Sequence, residues 1–414
     1  MFESSSSLPQ DFPLTPLQPP LSWEALEALA PEEPDRSEGP TSSQARLRLF
    51  GKPLASVRVV LYRDHYAWCP YCQKVWLWLE ERQVPYRIEK VSMFCYGAKE
   101  TWFTRLVPSG LLPALALDGQ LITESDVILQ ALEDSFGPLG RSLLDPAVLP
   151  LRQLERDLFR AWCQWLCSPG HEAEGKRRFE LQIARVCAAL EQSPTDFFLG
   201  DFSSADLVFV PYLERMVSSL LYYKDYELCR LWPAIDRWFA ALEQRSTYRG
   251  TQSDHHTHAH DLPPQMGGCH GIGPAGSRQW APRIDHGPYT DLGDSRQPAP
   301  ADAPQEALGR VLKHRHTLLG VYSSLPELAL RAALTRLITA NPCAPPPGSD
   351  LGLRSLRDRI CVPRDMGLHA ARALRQALED TAALVGDRQG PELPQRHRRD
   401  QNPLPFLAPP GGQP

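Results

Sequence analysis

Two cysteines separated by two residues, Cys69 and Cys72, are the side chains in this sequence best placed to do chemistry. They follow an apolar, β-branched run at 57–63 and precede a stretch rich in helix formers at 73–83, so we expect a strand, a short loop and a helix. Pro70 suits the first turn of that helix, because its fixed φ is helical and its missing N–H would have no intrahelical partner there. Cys69 is therefore expected at the cap position.

The cap position gives Cys69 the environment of a nucleophile. Unpaired backbone N–H groups and the positive end of the helix dipole stabilise a thiolate over a thiol at the start of a helix. Cys72, one turn further on, is close enough to resolve a mixed disulfide formed at Cys69. The motif favours thiol chemistry over two alternatives, half of a zinc site and a pair of buried core cysteines.

The elements that must position these cysteines follow a strand–helix–strand, then hairpin–helix order. After the cysteine helix the pattern predicts strands at 85–91, 111–117 and 120–123, with a turn at Asp118-Gly119, and a helix that starts at 124–126 and ends at Gly137. This order is that of a thioredoxin-like α/β domain. From 148 to 250 the apolar residues repeat at helical spacing, which indicates an all-α domain. Ser203 and Asp206, three residues apart, predict a capping box.

Composition excludes several classes of function. The chain has 414 residues and a net charge of -5, so it offers no basic surface for nucleic acid or for an anionic membrane. Ten cysteines without a recognisable signal peptide indicate a reducing compartment and free thiols. The longest apolar runs are too short to cross a bilayer. We expect a soluble protein of the cytoplasm, with the chloroplast as an alternative.

Four motifs carry a resemblance to a known family. The stretches WCPYCQKVWLWLEE, VPSGLLPAL, DGQLITESDVIL and GDFSSADLVFVPYLERM are similar, in this order, to the cytosolic glutathione transferase superfamily. The similarity is to its cysteine-type branches, such as omega, lambda, dehydroascorbate reductase and iota, and covers about 57–250. The Cys-Pro-Tyr-Cys form also resembles glutaredoxins. The resemblance implies glutathione as co-substrate.

The resemblance also implies roles for individual residues. Cys69 would form a mixed disulfide with glutathione, and the backbone around a cis Leu112-Pro113 bond would pair with its cysteinyl part. Glu124 and Ser125 would bind the γ-glutamyl group, for which a carboxylate, a hydroxyl and a helix N-terminus are suited. Lys99 would face the glycyl carboxylate.

Cys72 is a departure from most members of these branches, which keep a single cysteine or replace it with Ser or Tyr. A second cysteine favours thiol–disulfide exchange through a monothiol or a dithiol cycle. It also leaves room for a glutaredoxin-like iron–sulfur cluster held with glutathione.

A pocket for the second substrate is expected between the two domains, since pockets favour domain interfaces. Its candidate walls are Tyr66, Trp68, Trp162 and Trp165, although the helical stripes that contain the last two are typical of core. The partners expected are glutathione and a small-molecule or glutathionylated substrate. The protein is expected to be a monomer or a homodimer.

The remaining chain is polar and breaks into shorter units. The histidines at 255, 256, 258 and 260 suggest a metal-binding tract, but the Pro and Gly around them favour a solvated linker, so no metal is expected. Amphipathic patterns at 324–340 and 368–386 predict two helices. The predicted organisation is a disordered 1–50, a thioredoxin-like glutathione-binding domain at 51–140, an all-α substrate domain at 148–250, a linker at 251–310, a small helical extension at 311–390 and a disordered tail at 391–414.

The expected function is glutathione-dependent thiol transfer or reduction through a Cys69 mixed disulfide, including deglutathionylation and dehydroascorbate-type reduction. The alternative is a non-catalytic or redox-sensing protein that uses the same fold to bind a flavin, a tetrapyrrole or an iron–sulfur cluster.

Overall fold

The computed structural model of the protein describes residues 18–321 and 324–389. Within these residues a single five-stranded sheet has the order β1-β3-β2-β4-β5, in which β2 and β3 are parallel and the other neighbours antiparallel. The strands are β1 (Leu47–Arg48), β2 (Val59–Asp64), β3 (Tyr86–Val91), β4 (Ala114–Leu117) and β5 (Gln120–Thr123). The predicted thioredoxin-like order is confirmed, and β1 adds an edge strand from the N-terminal segment.

Helices account for most of the rest of the described chain. The N-terminal part contains α1 (Trp23–Ala28), α2 (Pro70–Glu81), α3 (Thr101–Leu106) and α4 (Ser125–Phe136). The all-α domain contains α5 (Leu149–Cys167), α6 (Glu172–Glu191), α7 (Ser204–Leu207), α8 (Val210–Lys224), α9 (Leu228–Leu231), α10 (Pro233–Glu243) and α11 (Ser246–Thr251). The extension contains α12 (His255–Met266), α13 (Trp280–His286), α14 (Ala303–Val321), α15 (Glu327–Thr339), α16 (Asp350–Arg359) and α17 (Leu368–Ala382). Among these helices none is both long and apolar enough to span a bilayer.

The cysteine helix α2 lies at the centre of the molecule. Every residue from Cys72 to Glu80 is buried, because α2 has the sheet on one side and α4, α8 and α11 on the others. Trp76 and Trp78 fill this contact, and the Arg63 guanidinium lies 4.5 Å from the centre of the Trp76 ring. One continuous hydrophobic core therefore joins the α/β domain to the helical domain.

The capping box predicted before α8 is present. Ser203 caps α7 through its side chain, and Asp206 accepts hydrogen bonds from the backbone N–H of Ser203 (3.1 Å) and Phe198 (2.8 Å). Trp238 Nε1 donates to the same carboxylate at 3.0 Å. Burial raises the pKa of Asp206 to about 7, against these hydrogen bonds. Asp206 is therefore part of the folded framework of the helical domain.

The described part of the N-terminal segment is folded, in contrast to the disorder expected for 1–50. Leu26 on α1 is buried among α14 and α15, and Leu47–Arg48 pairs with β3. Thr41 Oγ1 donates to Glu80 Oε2 at 2.7 Å. The composition predicts disorder because Ser and Pro dominate this segment. A few apolar residues are nevertheless enough to order it when another part of the chain covers them. The rest of the segment, 1–17, and the predicted tail, 391–414, lie outside the described residues.

The prediction of a solvated linker at 251–310 is wrong for the histidine tract, because α12 is buried from His255 to Pro263. Asp254 caps α12 by accepting from Thr257 N at 2.9 Å. Histidines of this tract contact polar side chains on α8 and α13 instead of water. The polar composition of the tract gives no sign of this burial. The amphipathic stretches at 324–340 and 368–386 form α15 and α17 as predicted, and they belong to a second hydrophobic core that also includes α1.

Replacing Gly250 by Ala is expected to destabilise the protein by about 1–3 kcal/mol, because the new Cβ would overlap the backbone and Cβ of Thr41. The measurement is the midpoint of chemical unfolding. Gly276→Ala is the matched control, since a Cβ at 276 meets nothing within 4 Å. Equal stability of the two variants would contradict the packing of the N-terminal segment against α11.

Candidate active site

The strand register brings the predicted glutathione-site residues to one edge of the sheet. The parallel strands β2 and β3 both end there, while β4 begins and β5 ends there, as the pairs Tyr62–Ala114 and Ala114–Thr123 show. The residues that follow or precede these strand ends are Cys69 after β2, Lys99 after β3, Leu112-Pro113 before β4 and Glu124-Ser125 after β5.

Cys69 occupies the N-cap of α2 and Pro70 the first helical position, as predicted. Its Sγ lies 3.9 Å from the carbonyl oxygen of Leu112, and the Leu112-Pro113 bond is cis. Cys72 is buried with only 2% of its surface exposed. Burial, followed by its hydrogen bond with Cys69, raises the pKa of the Cys72 thiol well above its ordinary value. Cys72 therefore remains a protonated thiol beside Cys69.

A buried arginine from the helical domain holds the cysteine loop. Arg215 on α8 donates from Nη2 to the carbonyl oxygen of Trp68 at 2.6 Å and from Nη1 to Gln73 Oε1 at 2.7 Å. The backbone N–H of Trp68 donates to Asp64 Oδ2 at 2.7 Å. Sequence reasoning missed Arg215, although a charged residue inside the apolar stretch 207–217 was the available signal. The two domains thus jointly fix the residue before Cys69.

Lys99 lies at the same sheet edge in a half-buried position. Its Nζ donates to the carbonyl oxygen of Ser92 at 2.8 Å. Burial lowers the pKa of Lys99, while Cys72, Glu100 and Cys69 act in the opposite direction. The ammonium group is therefore within electrostatic reach of both thiols.

Glu124 and Ser125 form the start of α4. Glu124 is the N-cap and has φ of 65°, a left-handed conformation that is costly for a residue with a Cβ. Backbone strain of this kind clusters at ligand clamps and active sites. The Glu124 side chain is exposed, while Ser125 is buried at the first helical position. The next residue, Asp126, pairs with Lys74 and with Arg152.

Tyr66 and Trp68 do not line an open cleft. Their rings stack at 4.6 Å, and Tyr96 lies 5.1 Å from each. The extension covers this cluster, because Cys361 packs into it and the Arg364 guanidinium lies 5.6 Å from the Tyr66 ring and 5.8 Å from the Trp68 ring. Since the two segments lie almost 300 residues apart, the sequence carried no signal for their contact.

Trp162 and Trp165 belong to the core of the helical domain, so their prediction as pocket walls is not supported by their placement. Trp162 Nε1 donates to Ser219 Oγ at 3.0 Å and Trp165 Nε1 to Glu172 Oε2 at 2.8 Å. Both rings are buried among helices α5, α6 and α8. They follow the apolar stripe of α5, and that stripe faces the bundle.

An aromatic surface that the sequence did not identify lies beside the cysteines. Tyr71, two residues after Cys69, is 37% exposed, and its ring lies 5.9 Å from that of Tyr212. Phe159 on α5 lies 5.2 Å from Tyr212, and the Arg156 guanidinium lies 4.6 Å from both of these rings. Burial raises the pKa of Tyr71, and Arg156 opposes that change. A partly open aromatic wall with a cation therefore lies next to the nucleophile position.

Part of the chain is similar in sequence to known glutathione S-transferases. Residues 68–135 match the family model described as the glutathione S-transferase N-terminal domain. Glutathione S-transferase DHAR3, chloroplastic, from Arabidopsis thaliana is 26% identical over 189 residues, which cover 45% of this chain and 69% of that protein. Glutathione S-transferase DHAR2 from the same plant is 25% identical over 186 residues, 45% of this chain and 84% of that protein. The crystal structure of glutathione transferase Omega 3C from Trametes versicolor aligns with 60% of this chain and 97% of that chain at 23% identity, with a TM-score of 0.45.

The matched segment 68–135 contains all the residues predicted to bind glutathione, together with both cysteines of the motif. The two Arabidopsis relatives each align with less than half of this chain, so much of its length has no counterpart in them. The family match therefore shows a glutathione S-transferase N-terminal domain at 68–135, and the chain is similar to plant glutathione S-transferases of the DHAR type.

Proposed function

We propose that this protein, an enzyme of the glutathione transferase superfamily, catalyses glutathione-dependent thiol transfer through a mixed disulfide at Cys69. The observation that carries the proposal is the placement of Cys69 at the N-cap of α2, with a protonated Cys72 thiol hydrogen-bonded to it. A helix N-terminus and a hydrogen-bond donor both favour the anionic form of a thiol.

The first step is a thiol–disulfide exchange. The Cys69 thiolate attacks the glutathionyl sulfur of a glutathionylated small molecule, so that the Cys69–glutathione disulfide forms and the substrate leaves as a thiolate that takes up a proton. A glutathione thiolate then attacks the glutathionyl sulfur of this mixed disulfide. Oxidised glutathione leaves, and Cys69 returns to the thiolate. One molecule of reduced glutathione is oxidised for each substrate disulfide reduced, and the other half of the oxidised glutathione comes from the substrate.

Glutathione itself, rather than Cys72, is the favoured second thiol. Attack by Cys72 on Cys69 Sγ would require the Cys72 thiolate, and burial disfavours that form. The cis Leu112-Pro113 segment, Glu124, Ser125 and Lys99 would hold glutathione in this step, since they share the sheet edge with Cys69. Tyr71 and the half-buried Phe159, which pack against the buried ring of Tyr212, would supply a surface for the acceptor.

The function is tested with the full chain, reduced glutathione and two substrates, a glutathionylated small thiol and dehydroascorbate. Both are reduced by chemistry that a cysteine nucleophile can perform, whereas conjugation of glutathione to electrophiles needs a hydroxyl that stabilises the glutathione thiolate. Formation of oxidised glutathione measures turnover. Absence of turnover with both substrates would overturn the proposal. One relative of this chain is named as a chloroplastic protein and another as a cytosolic protein. The assay is therefore run under conditions that represent each of these compartments.

Cys72→Ser is expected to retain turnover within about threefold of the unmodified protein, because glutathione and not Cys72 releases the mixed disulfide. The measurement is the initial rate at saturating glutathione. A loss of two orders of magnitude, with the fold intact by circular dichroism, would show that the cycle runs through a Cys69–Cys72 disulfide.

Ser125→Ala is expected to raise the KM for glutathione about tenfold with a smaller effect on kcat, because the lost hydrogen bond is made equally in the ground and transition states. Ser246→Ala is the matched control, since Ser246 is likewise the first residue of a helix, α11, but lies away from this sheet edge. A KM that stays unchanged in Ser125→Ala would remove this residue from the glutathione site.

A further inference from the structure

A cluster of metal-ligating side chains lies outside the elements that carry the cysteine motif. His256 and His260 are one turn apart on α12, and Asp285 lies on α13. One ligand atom from each residue can be chosen so that all three lie within 4.8 Å of one another. We infer that His256, His260 and Asp285 form a binding site for one divalent transition-metal ion of the zinc type.

The donor set suits such an ion. Two imidazole nitrogens and one carboxylate oxygen are ligands that zinc and its first-row neighbours accept, and three protein ligands leave one position for water. The i, i+4 spacing of the histidines places both rings on one face of α12. His256 is 1% and His260 6% exposed, so an ion bound here would be shielded from solvent on the side of α12.

The surroundings orient the carboxylate in the way expected for a metal ligand. Tyr222 on α8 donates its hydroxyl to Asp285 Oδ2 at 2.7 Å, and the other oxygen, Oδ1, lies 2.7 Å from His260 Nε2. The Tyr222 hydrogen bond is of the kind that orients a carboxylate that binds a metal. The short contact between Oδ1 and Nε2 shows that donor atoms of His260 and Asp285 converge, and a bound ion would take the place of the proton between them.

The other two histidines of the tract are engaged elsewhere and do not belong to the cluster. His255 Nδ1 lies 2.9 Å from Ser218 Oγ, and His258 Nε2 lies 2.8 Å from Glu214 Oε1. Within the described residues, His256 and His260 are therefore the two histidines of the tract that converge with Asp285 on α13. A metal ion at this position would join α12 to α13 within the extension.

The alternative is that a proton, and not a metal ion, lies between His260 and Asp285, so that the two form an ordinary hydrogen-bonded pair. The two are distinguished by titrating the full chain with Zn²⁺ alone. The protein is produced without a histidine tag, in the Cys69→Ser/Cys72→Ser background so that the motif thiols cannot bind the ion, and is freed of metal with a chelator. A chromophoric chelator reports competition, and Co²⁺ reports the ligand type through its visible absorption.

The expected result is about one Zn²⁺ per chain and a melting temperature that rises with Zn²⁺ concentration. A Co²⁺ spectrum should lack the thiolate charge-transfer band. Asp285→Asn and His256→Gln should each weaken binding at least about tenfold. His255→Gln, a change on the same buried helix outside the cluster, should keep full affinity.

The inference is overturned if the metal-free protein neither binds Zn²⁺ nor gains thermal stability from it. It is equally overturned if Asp285→Asn and His256→Gln bind as tightly as the parent, or if the Co²⁺ spectrum shows sulfur ligation. Should a ligand variant fail to fold, the titration and spectrum of the parent protein decide the question without it.

Discussion

Cys69→Ser is expected to lower glutathione-dependent turnover by at least about 10³-fold while leaving the fold intact. A serine hydroxyl cannot form a mixed disulfide, and at neutral pH it is almost wholly protonated, so the proposed first step is lost rather than slowed. The residue lies at the N-cap without a side-chain hydrogen bond to the helix, so the substitution removes no cap. The measurement is the rate of oxidised-glutathione formation with a glutathionylated small thiol.

The matched control for this variant is Cys187→Ser. Cys187 is buried to the same degree as Cys69 but lies on α6, in the hydrophobic core, so its replacement should affect stability and not the chemical step. Retention of more than about a tenth of the activity in Cys69→Ser would mean that another group is the nucleophile.

Arg375→Ala is expected to lower the free energy of unfolding by about 3–5 kcal/mol, because it leaves a buried carboxylate without its partner. Arg375 on α17 pairs through Nη1 with Asp254, the N-cap of α12, and both side chains are buried. Its Nη2 donates to the carbonyl oxygen of Ile360 at 2.7 Å, immediately before Cys361. The same arginine therefore fixes α17 to α12 and holds the segment that covers Tyr66.

The pH dependence of stability provides an independent test of this ion pair. Burial opposes ionisation of Asp254, but Arg375 and the hydrogen bond from Thr257 lower its pKa from 3.8 to about 2. Because the folded pKa lies below the unfolded one, the contribution is complete above pH 3.8 and is lost as the pH falls through about 2. Asp254→Asn should abolish that part of the acid dependence.

Two further variants show whether the effect belongs to buried charge. Asp254→Asn combined with Arg375→Met should recover part of the stability lost in Arg375→Ala, since the unpaired charge is gone. Arg58→Ala, which breaks an exposed pair with Asp118, should leave stability unchanged within measurement. An Arg375→Ala protein as stable as the parent would show that the extension is held by other contacts.

The cysteine site was predictable from sequence because its signals are local. The β-branched run, Pro70 and the helix formers after it fix a strand, a cap and a helix within about 25 residues, and the structure places Cys69 at that cap. Ser203 and Asp206 are equally local, since a capping box needs only one turn of chain. The cis Leu112-Pro113 bond was predictable only from the family resemblance, because nothing in the local sequence distinguishes a cis bond from a trans bond there.

The parts that sequence did not predict depend on long-range burial. Composition marked the histidine tract as solvated, yet α12 is buried because polar partners on α8 and α13 meet its polar side chains. Trp162, predicted as a pocket wall, lies in the core of the helical bundle instead. The cover over Tyr66 and Trp68 comes from Cys361 and Arg364 in the extension, and no periodicity or motif reports such a contact.

The most direct test of the proposed function is to locate the glutathione adduct. The Cys72→Ser protein, incubated with oxidised glutathione and then quenched by alkylation, would be digested and mapped by mass spectrometry. We expect one glutathionyl group on the peptide that contains Cys69, and we expect reduced glutathione to remove it again. An adduct that is absent, or that is spread over the other cysteines while Cys69 is alkylated, would contradict the proposed function.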